Sequence, residues 1–168
     1  TSPLVNNVAL ELAEVEFETG GEAGGADSVK RLTALLNKKP SPNAQLRRLA
    51  FYRLGIVQFK QKKYLESAMA FEDMLSDATE DLLISAAWQA GEARREVAVA
   101  AQGPTKEREY KAALKNYEIA VQAKMPAGQA DQARLQEQAL LRIGQSKAAM
   151  ERWVDSQESF ELFIESNP

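Results

Sequence analysis

The stretch "AFYRLGIVQFKQKKYLESAMAFEDML", residues 50–75, decides the fold. Phe51, Leu54, Gly55 and Phe59 recur at helical spacing, and Tyr64, Ser67 and Phe71 do so again after a short turn. Glycine costs a helix ~1 kcal/mol relative to alanine, so Gly55 needs a structural reason. Close packing supplies one. Two antiparallel helices cross at Gly55, where a side chain would hold them apart, and Ser67 is the small counterpart on the second helix.

The same spacing returns on either side. Around Gly91 stand Ala87 and Ala90, followed by Tyr110, Ala113, Tyr117 and Ala120. Around Gly144 stand Leu140 and Ile143, followed by Trp153, Ser156, Phe160, Phe163 and Pro168. A weaker copy centres on Ala13, with Ala9 and Leu12 before it and Ser28, Leu32, Leu35 and Pro40 after it. The step from glycine to aromatic is nine residues at Gly55–Tyr64 and Gly144–Trp153 but nineteen at Gly91–Tyr110. The insertion, "VAVAAQGPTK" at 97–106, is helical in composition and lengthens that hairpin. The large residues at 71, 117 and 160 are expected to reach toward the next unit, because no such repeat buries its apolar face alone.

The rest of the chain agrees. The 3.6-residue period dominates and sustained strand alternation is missing. Breakers fall at "TGGEAGGAD" (19–27), "KKPSPN" (38–43), "AQGPT" (101–105) and "KMPAGQAD" (124–131). Asp27, Ser28 and Thr79 suit helix N-caps, and "GGEAGG" at 20–25 reads as a flexible turn. Eight helices are predicted, near 5–19, 27–38, 43–61, 64–76, 79–101, 105–124, 130–149 and 153–166. The expected fold is all-α, one domain over 1–168 of antiparallel hairpins stacked as an α-solenoid. Its units cover about 5–40, 44–77, 80–124 and 130–168.

Composition removes several functions. The chain has no cysteine and no histidine, so disulfides, thiolate metal sites and the commonest general base are absent. The glutamates at 11, 14 and 18 share a helix face but lack the loop that would make a cation site. Ser28, Ser67 and Ser156 have no histidine to activate them. "GGEAGG" lacks the GK[ST] ending of a phosphate-binding loop. Neither catalysis, a cofactor nor a metal is expected. No apolar run approaches the length of a membrane span, and no signal peptide is seen. The start at Thr1 rather than Met suggests an excised or mature fragment. Net charge is −3, with five glutamates and no Lys or Arg in residues 1–26, which leaves the remainder at +2. Such a balance disfavours general nucleic-acid binding, and helical RNA-binding repeats are the weaker alternative.

In phase, spacing and small-residue placement the copies resemble the tetratricopeptide repeat, a helix–turn–helix unit of ~34 residues. The phrasing "SAAWQAGEARRE" and "SFELFIESNP" is most similar to repeats of bacterial envelope proteins such as the BamD and YbgF families. The resemblance implies a right-handed superhelix whose first helices line a concave groove. It further implies a non-enzymatic scaffold that binds a protein or peptide there, within a larger bacterial protein. The periplasm or cell envelope is favoured for its location.

Carried over residue by residue, the groove positions are Leu10, Glu14, Phe17 and Glu18 in the first unit and Tyr52, Ile56, Phe59 and Lys60 in the second. In the third they are Trp88, Glu92, Arg95 and Glu96, and in the fourth Leu141, Gln145 and Ala148. Arg53, Gln89 and Arg142 lie at the flank. Tyr52 and Trp88 carry most weight, because aromatics dominate interface energies. The basic residues nearby would suit an acidic peptide. The Lys/Asn/Asn/Lys/Arg set by which one sub-family grips a chaperone's terminal carboxylate is not supplied here. The last helix is strongly apolar through Trp153, Phe160, Phe163 and Ile164. Either the parent chain continues over it or it meets another subunit, the latter making the protein a self-associating spacer.

Overall fold

The computed structural model describes residues 3–76, 78–125 and 128–166. Pro126 and Pro168, read above as a breaker and as the close of the fourth unit, lie outside the described residues. The fold is all-α. Its helices are α1 (Pro3–Thr19), α2 (Gly21–Leu36), α3 (Ala44–Lys60), α4 (Tyr64–Leu75), α5 (Glu80–Ala100), α6 (Gly103–Gln122), α7 (Ala130–Ala149) and α8 (Trp153–Ser166). They pair as α1–α2, α3–α4, α5–α6 and α7–α8, with α2 packed on α3 and α6 on α7. The chain divides into two compact units, residues 1–77 and 78–168. None of the helices described is long and apolar enough to cross a membrane.

In the first unit Leu10 and Ala13 of α1, Leu32 and Leu35 of α2, Leu46, Ala50 and Leu54 of α3, and Ala70 of α4 form one buried cluster. Each buried leucine contributes about 2 kcal/mol of transfer free energy. Asn43 opens α3, its side chain accepting a hydrogen bond of 2.8 Å from the Leu46 N–H. In the second unit the core is built from Ile84, Ala86, Ala87, Ala90, Tyr117 and Ile143 among others.

Gly55, Gly91 and Gly144 serve one purpose. A methyl group on them would lie 2.7 Å from the Phe71 ring, 2.4 Å from the Tyr117 ring and 2.6 Å from the Phe160 ring, respectively. The aromatic side chain of the second helix is therefore seated in the space the glycine leaves. Each ring thus packs against the glycine of its own hairpin, and Tyr117 also reaches the Glu92 carboxylate that it shares with Arg142 of the next hairpin. The small counterparts also do more than leave room. Ser67 donates to the Gly55 carbonyl at 2.8 Å and Ser156 to the Gly144 carbonyl at 2.9 Å, both buried. Ala113 stands at the corresponding position before Tyr117.

The turns repeat as well. Lys62 and Glu151, each seven residues past its glycine, are left-handed (φ 60° and 61°). The following N–H groups, of Lys63 and Arg152, bond back to the carbonyls of Gln58 and Lys147 at 2.9 and 3.0 Å. This is the six-to-one bond of a helix C-cap. In the third hairpin the glycine-to-ring step is ten residues longer, and both arms, α5 and α6, extend past the Gly91–Tyr117 contact.

The second helix departs from the sequence reading. Gly20 stands at the N-cap, "GEAGG" at 21–25 is the first turn and a half of α2, and Asp27 and Ser28 lie inside that helix rather than capping it. A methyl group on Gly24 would lie 2.0 Å from the Glu16 carbonyl oxygen. Gly20 and Gly24 let α1 and α2 meet at backbone distance, while Gly25 makes room for the Gln61 side chain. Their closeness outweighs their low helix propensity.

Candidate partner-binding site

The residues assigned to a groove fall on the first helix of each hairpin, and each unit presents its own set. In the first unit a pocket of about 340 Å³ opens between α1 and α3. Glu14, Phe17 and Glu18 of α1 and Tyr52, Ile56 and Arg53 of α3 line it, together with Ala13, Leu49 and Val57. Ser28 of α2 lines it as well. Its hydroxyl is buried without a hydrogen-bond partner.

Tyr52 is half-buried, its ring edge-on to Phe71 with centroids 5.7 Å apart. Burial pushes its hydroxyl pKa above the ordinary value. It therefore stays a neutral donor and acceptor throughout the physiological range. Arg53 is committed to α1. It donates to the Leu10 carbonyl at 2.9 Å, pairs with Glu14, and lies 3.6 Å from Glu11. Lys60 is exposed and holds its ammonium 4.6 Å above the Phe17 ring. Phe59 takes a different course. Its ring stacks edge-on against Tyr64 at 5.1 Å, closing the α3–α4 turn, and it does not line the pocket.

In the second unit the assigned residues form a polar cluster. Glu92 of α5 accepts from the Tyr117 hydroxyl at 2.6 Å and from Arg142 Nε at 2.8 Å, with Arg95 Nε 3.6 Å away. Arg95 also donates to Glu96 at 2.6 Å. Burial, followed by the Glu92 carboxylate, pushes the Tyr117 hydroxyl pKa far above its ordinary value. Trp88 lies 5.7 Å from the Tyr117 ring, and the Arg142 guanidinium stands 6.0 Å over its indole. Gln145 is exposed and accepts from Arg142 at 2.7 Å, and Leu141 beside it is half-buried. Glu92 thus joins α5, α6 and α7, whereas Arg95 pairs within α5 with Glu92 and Glu96; Trp88 is half-buried and Gln145 exposed.

The two units share one device. Arg53 and Arg142 each stand two residues before a glycine. Each reaches back to a glutamate one residue after the small position of the preceding first helix, Glu14 and Glu92. Sequence reasoning placed these arginines at the flank but did not pair them. The relation becomes visible once the copies are aligned on Ala13, Gly55, Gly91 and Gly144. It also missed Ser28 as pocket lining, although Ser28 aligns with Ser67 and Ser156.

Among the described residues no three His, Cys, Asp or Glu side chains gather as a metal-holding group. No protein-family model matches the chain, and no curated protein matches it.

Proposed function

We propose that the chain is a repeat protein of the tetratricopeptide type that holds a protein or peptide partner, with the α1–α3 pocket as the principal seat. The observation that carries this reading is the pocket itself. Glu14, Phe17, Glu18, Tyr52 and Ile56, five groove positions implied by the resemblance, line a single concavity. Its size and apolar walls suit one large side chain of an extended or helical segment. Arg53 is already neutralised by Glu14 and Glu11, whereas Glu18 stands exposed at the mouth. The preferred occupant is therefore an apolar anchor with a basic neighbour. This reverses the acidic peptide expected from the basic residues near the groove positions.

The test compares wild type with Ile56→Lys, both shown to be folded by circular dichroism, in pull-down with lysine-reactive cross-linking. Lys60 is exposed beside the pocket and reports occupancy. The expected result is a partner cross-linked through Lys60 to wild type and lost from the variant. A partner held equally by both proteins, with no cross-link at Lys60, removes the pocket from the mechanism.

A further inference from the structure

Each first helix carries a stripe defined by the positions five before, one before and two after its small residue. In α3 these are Ala50, Leu54 and Val57, and in α7 they are Ala139, Ile143 and Ser146, all buried at 8% exposure or less. The neighbouring second helix contributes to this burial: α2 packs on α3 and α6 on α7. Leu36 near the end of α2 packs against the cluster holding Ala50 and Leu54. At the other contact Gln136 of α7 donates to the carbonyls of Ala120 and Ala123 at 2.9 and 2.7 Å, fastening the end of α6.

In α1 the same three positions are Val8, Leu12 and Val15, and they are 40–63% exposed. The matching deficit lies on α8. Ile164, which aligns with Leu36 and Val121, is 68% exposed where those two are half-buried. Trp153, which aligns with the buried Tyr110, is exposed as well. The chain therefore carries both halves of an interface that it builds internally twice.

We propose that α1 of one copy receives α8 of a second copy in the register in which α3 receives α2 and α7 receives α6, so that the chain self-associates head to tail. The polar positions beside the stripe agree. Internally, Arg53 meets Glu14 and Arg142 meets Glu92. Across copies these positions are Glu11 on α1 and Gln145 on α7. Gln145 accepts from Arg142 through its oxygen, so its amide N–H groups remain to donate to a carboxylate. The junction uses different surfaces on its two sides, so each added copy exposes a fresh α1 or α8 face, and growth continues unless the rotation closes a ring.

The test is sedimentation velocity of the whole chain over about two decades of concentration up to ~1 mM, a range suited to a weak contact. It uses wild type, Val8→Glu, Ile164→Glu and an equimolar mixture of the two variants. Both substituted positions are exposed, and circular dichroism checks the fold. Val8→Ser and Ile164→Ser repeat the design without adding charge. Wild type is expected to pass beyond dimer as concentration rises. Each variant alone is expected to associate at least tenfold more weakly. The mixture is expected to form a dimer and stop there, since one intact α1 face meets one intact α8 face. A wild type monomeric throughout overturns the proposal. So does Val8→Glu that still dimerises, because α8 then meets α8 or a different surface, and so does a mixture that stays monomeric. None of these substitutions touches the α1–α3 pocket, so the partner-binding reading stands or falls separately.

Discussion

A single absent methyl group governs each hairpin. The Gly55→Ala change gains ~1 kcal/mol in helix propensity. It also places a carbon 2.7 Å from the Phe71 ring, which is fully buried and has nowhere to move. Overpacking of this kind costs about 1–3 kcal/mol, so the expected net effect in urea unfolding is destabilisation. Adding Phe71→Leu makes room for the methyl group. The double variant should then be more stable than the sum of the two single losses predicts. Additive losses would show that the ring and the glycine are not coupled. Gly144→Ala should be milder, because the Phe160 ring is only half-buried and can yield.

At the scale of helices, the Glu92–Tyr117–Arg142 cluster joins α5, α6 and α7 and gives the second unit a defined alkaline response. Tyr117 is fully buried, and its folded pKa is raised above the ordinary 10.0. Below pH 10 both folded and unfolded chains keep this proton, and its contribution is fully present. Above pH 10 only the unfolded chain releases it, so stability falls with rising pH by about 1.4 kcal/mol per unit. Tyr117→Phe should remove that slope while losing the hydrogen bond to Glu92, and unfolding free energies from pH 9 to 11 read both effects. An unchanged slope would mean that the hydroxyl titrates normally in the folded protein.

Most helices were legible from the sequence because period and breakers agreed. The α3–α4 hairpin begins and ends within a residue or two of its expected limits. The start of α2 was not legible. Gly20 and Gly24 carry the same signature as a flexible turn, and only the proximity of the Glu16 carbonyl distinguishes a close crossing from a loop. The candidate site was legible in part. The repeat resemblance placed Tyr52 and Ile56 on one face of α3, and both line the α1–α3 pocket. Whether Glu92 points at solvent or at Tyr117 depends on a neighbour 25 residues away, which a helical period does not reveal.

For the molecule as a whole, the chain divides near residue 77 into two compact units. Repeat architectures transmit destabilisation mainly to nearest neighbours. Amide hydrogen exchange should therefore show Gly55→Ala lowering protection mostly in α1–α4 and Gly91→Ala mostly in α5–α8. Equal loss in both units from either change would instead indicate one cooperative body. The long third hairpin has a further consequence. Its ten additional residues lie beyond the Gly91–Tyr117 contact and carry the α5–α6 tip outward by ~7.5 Å, at roughly five residues per arm. A foreign segment spliced between Ala101 and Gln102 would meet neither ring nor glycine. That tip is where the chain can be opened, tagged or rejoined while the contact that holds the hairpin shut is left intact.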